Sequence, residues 1–114
     1  MITPRKTPHH LRRVRNGAER ISAERARQIA VEGWTAEHDD GGESGELTAA
    51  ATAYLQRARE CSFYGEEPRT ASPPSVWPWD AKFWKPGTTI RMLTKAGALI
   101  AAEIDRRLRA GETT

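Results

Sequence analysis

The chain has 114 residues, a net charge of +3 and an apolar fraction of 38%. This length allows one domain with one modest core. No apolar run approaches the roughly 20 residues that span a bilayer, and no apolar block follows the basic N-terminus as in a secretory signal. The single cysteine, Cys61, excludes an internal disulfide and is typical of a reducing compartment. We therefore expect a cytoplasmic, single-domain protein.

The positive charge is concentrated at the N-terminus. Residues 1–17 contain no acidic side chain, and the rest of the chain has 13 basic against 15 acidic residues. Such a segment is typical of a disordered arm, and its cations could also lie along the phosphates of a nucleic acid. The basic residues of this N-terminal arm are Arg5, Lys6, Arg12, Arg13 and Arg15.

Residues 18–111 are predicted to form one α-helical domain, beginning with a helix over AERISAERARQIAVEGW, residues 18–34. Gly33 suits a left-handed cap at the end of this helix, and Trp34 follows as the apolar residue that folds back on the last turn. Its helical periodicity produces a narrow apolar stripe. The members of the stripe are Ile21, Ala26, Ile29 and Ala30.

The second predicted helix covers GELTAAATAYLQRAREC, residues 45–61. Small and apolar residues recur at helical spacing on one face, which favours close packing against another helix. Ser44 is the predicted N-cap, and Glu46 then lies in the first turn, where the helix dipole favours a carboxylate.

An acidic stretch, EHDDGGESGE, joins these two helices. Clustered carboxylates are the ligands that Mg²⁺ prefers, whereas DDGG is also a common turn sequence and His38 could be a hydrogen-bonded anchor. The spacing matches no established metal-ligand motif. If the stretch binds a metal, the expected ligands are Glu37, Asp39, Asp40 and Glu46.

Residues 62–88 form a long connection that is rich in proline and tryptophan, and proline excludes a regular helix interior. Its aromatic half, WPWDAKFWKP, is too apolar to lie in water. The rings could fill the core of an alanine-rich domain, or they could stack on bases while Lys82 and Lys85 neutralise a phosphate.

The third predicted helix covers TTIRMLTKAGALIAAEIDRRLRAG, residues 88–111, with a threonine cap at its start and Gly111 at its end. Gly97 is expected to admit a neighbouring helix or a ligand. Arg91 and Lys95, one turn apart, could bind an anion together or belong to an exposed charged face. The apolar seam of this helix is predicted to contain Ile90, Leu93, Gly97, Ile100, Ile104 and Leu108, widened by Met92, Ala96 and Leu99.

The predicted architecture is therefore all-α, a small bundle of three main helices with the aromatic, proline-rich loop packed at one end. A small bundle with a limited core often self-associates, which makes a homodimer plausible.

Four separated blocks, ISAERARQIAVEGWTAEHDD, GELTAAATAY, WPWDAKFWKP and RMLTKAGALIAAEIDR, occur in this order. Together they resemble a family of small uncharacterised proteins of tailed phages and prophages, over residues 21–109. The resemblance implies a phage origin and a site of action in the cytoplasm of the bacterial host.

The chain is also loosely similar to the all-α MazG-type nucleoside triphosphate pyrophosphohydrolases, in which an ER-x-RQ helix precedes a GE helix and a final alanine-rich helix follows. That similarity implies a Mg²⁺ site built from carboxylates on successive helices. In this chain Arg91, Met92 and Lys95 occupy the corresponding part of the last helix, where acids would be needed. If the chain kept the nucleotide pocket of these enzymes but lost their Mg²⁺ site, it would bind a nucleotide without hydrolysing it.

The leading functional hypothesis is a phage accessory protein that binds a host component or a nucleotide-like ligand without catalysis, for instance to blunt a host defence. It requires no cofactor. The first alternative is a divergent Mg²⁺-dependent nucleotide pyrophosphohydrolase, and the second is nucleic-acid binding through the N-terminal arm. The expected ligand-binding residues are Trp34, Trp77, Trp79, Trp84, Arg91 and Lys95.

Overall fold

The computed structural model describes residues 14–42 and 45–114. This part of the chain contains no strand, so the predicted all-α class is confirmed. Two short 3₁₀ turns, Pro68–Thr70 and Ala81–Phe83, interrupt the connection between the last two helices. The four α-helices are α1 (Gly17–Ala30), α2 (Ala36–Gly41), α3 (Glu46–Tyr64) and α4 (Thr89–Arg109).

Both ends of α1 follow from local sequence. At its start, the Asn16 side chain accepts from the backbone N–H of Glu19 and the Glu19 carboxylate accepts from that of Asn16, each at 2.9 Å. At its end, Gly33 adopts φ +73° and the Trp34 N–H donates to the carbonyl of Gln28 at 3.0 Å. This is the left-handed cap predicted for Gly33, and it turns Trp34 back towards the helix.

Helix α2 forms from the acidic stretch and is an element that the sequence did not predict. Thr35 caps it by accepting from the N–H of His38 at 3.2 Å. Asp39 is buried, and Asp40 pairs with Arg109 at the end of α4 at 2.8 Å. Two carboxylates of this stretch therefore attach α2 to the bundle. The predicted N-cap of the next helix, Ser44, lies outside the described residues, as do Arg5, Lys6, Arg12 and Arg13 of the N-terminal arm.

Helix α4 packs against both α3 and α1, and the core lies mainly between α3 and α4. Alanines such as Ala50 and Ala53 on α3 are completely buried, and Met92 and Leu99 fill the space opposite them. Small side chains let the two backbones approach closely, and Met92 and Leu99 are the bulky residues that α4 adds to this core. The ends of α4 were predicted correctly, because Thr88 caps its start and Gly111 follows its end with φ +87°. Within the described residues, none of the helices combines the length and apolarity needed to cross a membrane.

The predicted apolar seam of α4 is wrong in its main members, because they form a half-exposed stripe rather than the core. Their exposed fractions lie between 45 and 61%, and the residues of this outer stripe are Ile90, Leu93, Ile100, Ile104 and Leu108. The core face instead contains Met92, Ala96 and Leu99, which were predicted only to widen the seam. Both faces have apolar residues at helical spacing, so periodicity could not choose between them.

Gly97 lies on the same side as the outer stripe, where α1 reaches α4. A Cβ atom at this position would lie 2.5 Å from Cδ1 of Ile21, a separation that real side chains do not allow. The expectation that Gly97 admits a neighbouring helix is therefore confirmed. The rest of the predicted α1 stripe is not buried: Ile29 is exposed, while Glu24 and Gln28 face inward.

The aromatic loop fills space against α3. The Trp84 ring is buried and stacks on Tyr54 with centroids 4.5 Å apart, and its indole N–H donates to the carbonyl of Ala71 at 2.8 Å. Trp77 contacts Tyr54, Trp79 and Trp84 edge to face. Trp77 and Trp84 thus contribute to the core, as the space-filling interpretation of this loop predicted.

Candidate ligand-binding cleft

A cleft of about 260 Å³ opens between α1, α3, α4 and the aromatic loop. We call it the aromatic cleft, because rings from three different segments form its walls. Charged and amide side chains from α1 and α4 complete the lining. The residues that matter for its chemistry are Gln28, Trp34, Tyr54, Trp79 and Lys95, with Glu24 and Arg27 at the rim.

Two indoles form one wall of the aromatic cleft. Trp34, placed by the cap of α1, lies 5.7 Å from Trp79 between ring centroids, and its other neighbour is His38, stacked at 6.2 Å. The Trp79 N–H donates to the carboxylate of Glu46 at 3.1 Å, which fixes the orientation of that ring. His38 thus covers one face of Trp34, and the hydrogen bond to Glu46 holds Trp79 in place through its ring edge rather than its face.

Gln28 contributes a buried amide to the aromatic cleft. The residue is 1% exposed, and its Nε2 donates to Glu24 at 3.2 Å. Its Oε1 accepts no hydrogen bond from any described residue. Leaving a buried acceptor unsatisfied costs about 1–3 kcal/mol. A ligand N–H that reached Gln28 would recover that cost.

Lys95 brings a cation to the aromatic cleft. Its Nζ donates to the carbonyl of Lys85 at 2.6 Å and lies 5.4 Å from the ring centroid of Tyr54. Burial, followed by the charge of Arg91, lowers the pKa of Lys95 from 10.5 to about 8. The ammonium form still predominates at neutral pH, and an anion bound beside it would stabilise that form.

Glu24 is a buried carboxylate shared by two arginines at the rim. Arg27 binds it through two N–H groups at 2.8 and 2.9 Å, and Arg91 donates to it at 2.6 Å. Burial acts to raise the pKa of Glu24, but the hydrogen bonds from Arg27 and Arg91 outweigh it and hold that pKa below its usual value. The carboxylate therefore remains ionised and fixes both guanidinium groups in position.

The structure brings together three of the six predicted ligand-binding residues. Trp34, Trp79 and Lys95 line the aromatic cleft. Trp77 and Trp84 belong to the packing of the loop on Tyr54 instead. Arg91 does not line this cleft, and it pairs with Glu24 at the rim.

Sequence reasoning missed Glu24, Gln28 and Tyr54 as lining residues. Glu24 and Gln28 are four positions apart on α1, so they share a face of the helix. A polar pair on one face of a helix is normally interpreted as solvated surface. No signal in the local sequence marks these two residues as buried, because their burial depends on side chains from other segments.

The four carboxylates predicted to bind Mg²⁺ do not form one site, although Asp39 and Glu46 border the same small cavity. Three of them have their own partners: Asp39 contacts Arg25 at 3.5 Å and His38 at 3.1 Å, Asp40 pairs with Arg109, and Glu46 accepts from Trp79. Glu37 is exposed on α2. In residues 14–42 and 45–114, no group of three or more Asp, Glu, His or Cys side chains is arranged to hold a metal ion.

Comparison of the chain with protein-family models, with curated proteins and with solved structures found no match.

Proposed function

We propose that this protein is a binding protein without catalytic activity, and that it takes one planar, nucleotide-like ligand in the aromatic cleft. The observation that carries the proposal is the meeting, in one cleft, of stacking rings, the unpartnered Oε1 of Gln28 and the ammonium group of Lys95. These three features match the three parts of such a ligand: a flat ring, an N–H donor and a negative charge.

The size of the aromatic cleft supports a single planar group. Its volume of about 260 Å³ is just below the range of roughly 300–1,000 Å³ that is typical of pockets for drug-sized ligands. Stacking of one base on an aromatic side chain contributes about 1–3 kcal/mol. A hydrogen bond to Gln28 would distinguish a base that presents an N–H from one that does not.

The resemblance to phage proteins supports a role in an infected bacterial cell. A small protein that sequesters a nucleotide-like molecule could lower its free concentration there and so blunt a host defence. This part of the proposal depends on the resemblance, whereas the ligand class depends on the aromatic cleft.

The test is calorimetric titration of the full chain with nucleosides, nucleoside monophosphates and cyclic dinucleotides. We expect one class to bind and Gln28→Met to weaken that binding by about tenfold or more, because it removes the buried acceptor at similar volume. Gln56→Met, at an exposed glutamine of α3, is the matched control and should bind as the wild type does. Absence of binding by every compound, or equal binding by Gln28→Met, would refute the proposal.

The contacts of the acidic residues do not favour the Mg²⁺-dependent pyrophosphohydrolase as a second candidate. A metal at Asp39 or Asp40 would have to replace the arginines that already pair with them. Nucleic-acid binding through the N-terminal arm stays a prediction. Arg15 is the one basic residue of the arm within the described part of the chain, and it is exposed.

A further inference from the structure

A second cleft, of about 310 Å³, lies between the N-terminal parts of α1 and α4. It shares Glu24 and Arg27 with the aromatic cleft, so this ion pair borders both clefts. We call it the arginine pocket. Its polar lining consists of Arg15, Arg20, Glu24, Arg27, Thr88, Arg91 and Thr94.

The arginine pocket has an excess of positive charge. Four guanidinium groups line it, against the single carboxylate of Glu24, although Arg27 also pairs with Glu32 at 3.0 Å. Glu24 is already paired with Arg27 and Arg91, and neither Arg15 nor Arg20 has an ion-pair partner among the described residues. An excess of like charge lining one cleft favours the binding of an anion there.

The buried Glu24 holds part of this pocket in place. It fixes Arg27 through two hydrogen bonds and Arg91 through Nη2. The remaining N–H groups of Arg91 have no acidic partner in the described part of the chain. A planar guanidinium with free N–H donors suits the oxygens of a phosphate, which it can bind through two parallel hydrogen bonds.

We infer that the arginine pocket binds a phosphate monoester, the phosphate of the same ligand whose planar part lies in the aromatic cleft. The planar part rests on the proposed function, whereas the phosphate part rests on the charge and geometry of the arginine pocket. The shared Glu24–Arg27 pair is the point at which the two parts of the ligand would join. The ligand class is therefore a nucleoside monophosphate or a molecule of similar size.

The experiment compares three ligands by calorimetry at low salt: a nucleoside, its 5′-monophosphate and inorganic phosphate. The variants are Arg20→Gln and the double variant Arg15→Gln/Arg20→Gln, whose side chains are exposed and should not be needed for folding. The control is Arg59→Gln, which removes the same charge from an exposed position on α3 with no ion-pair partner among the described residues.

We expect the monophosphate to bind at least about tenfold more tightly than the nucleoside, since hydrogen bonds between charged groups contribute roughly 1.5–3 kcal/mol. The double variant should lose most of this advantage, keep only the part that Lys95 supplies, and leave the nucleoside affinity unchanged. Arg59→Gln should change neither affinity. The wild type could bind inorganic phosphate, and the double variant could lose that binding, while no nucleoside binds to either. This result would support the arginine pocket and would refute only the proposed function of the aromatic cleft.

Two results would overturn the inference. One is equal affinity for the nucleoside and the monophosphate in the wild type, which would leave the aromatic cleft as the whole site. The other is binding of duplex DNA that depends on Arg15 and Arg20, with no binding of phosphate or monophosphate. That outcome would assign these arginines to a nucleic-acid surface.

Discussion

The indole N–H of Trp79 donates to the carboxylate of Glu46 at 3.1 Å, although the two residues are 33 positions apart in the chain. Glu46 opens α3 and ends the acidic stretch, while Trp79 belongs to the aromatic loop. The bond therefore joins the two segments that the sequence marked as candidate sites. It makes Glu46 a positioning residue for a wall of the aromatic cleft rather than a carboxylate that is open to a ligand.

This hydrogen bond can be tested by substitution at Glu46. Glu46→Gln retains an acceptor, so we expect the free energy of unfolding in urea to change by less than about 0.5 kcal/mol. Glu46→Ala should cost roughly 1–2 kcal/mol and speed exchange of the Trp79 indole proton, measured by NMR. Glu37→Ala, on an exposed carboxylate of α2, is the control. Unchanged indole exchange in Glu46→Ala would show that the bond does not hold the ring.

The two apolar faces of α4 should respond differently to truncation. Leu99 is fully buried, so Leu99→Ala should lower the free energy of unfolding by about 2–5 kcal/mol. Ile104 is half exposed, and Ile104→Ala should cost less than about 1 kcal/mol. Both are measured by urea denaturation at several protein concentrations.

A large loss at Ile104 that disappears on dilution would contradict the solvent-facing assignment of the outer stripe. It would also support the homodimer, which stays a prediction. Sedimentation of the wild type over the same concentrations distinguishes burial of Ile104 in a homodimer from burial of Ile104 within the monomer.

Gly97 and Ile21 should show strong coupling. Gly97→Ala gains about 1 kcal/mol of helix propensity but places a methyl group against the Ile21 side chain. We expect the substitution to destabilise the wild type and to stabilise the Ile21→Ala variant, a change of sign that a double-mutant cycle in urea would measure. Additive effects would mean that α1 does not approach α4 at Gly97.

Binding of an anionic ligand should weaken at alkaline pH. The pKa of Lys95 is about 8, and the anion favours the ammonium form, which is lost as pH rises through that value. Affinity for a nucleoside monophosphate should therefore fall roughly tenfold between pH 7 and pH 9. Calorimetry should also show proton uptake on binding near pH 8. Lys95→Arg does not titrate in this range, and an equal fall in that variant would assign the effect to another group.

Divalent metal ions should not stabilise the fold specifically. Since Asp39 and Asp40 are paired with arginines, millimolar Mg²⁺ and Ca²⁺ should each shift the Tm by less than about 1 °C. The measurement is thermal unfolding with each metal and with a chelator. Stabilisation by Mg²⁺ alone that disappears in Glu46→Gln would revive the metal site of the pyrophosphohydrolase alternative.

Local rules in the sequence determined the end of α1 and both ends of α4. Gly33 stops α1 because only a residue without a Cβ atom adopts φ +73° at little cost, and Thr88 starts α4 because its hydroxyl satisfies a free backbone N–H. The helical class follows from composition and periodicity in the same way. These features depend on a few neighbouring residues, so the sequence is enough to predict them.

Only the tertiary structure decided which faces meet. The outer stripe and the core face of α4 have similar periodicity, and the choice between them depends on the small alanines of α3 opposite Met92 and Leu99. For the same reason Gln28 and Glu24 could not be assigned to a cleft, because their burial depends on Tyr54 and Arg91 from distant segments. Burial is a property of the packed assembly of helices, whereas helix boundaries are a property of the chain.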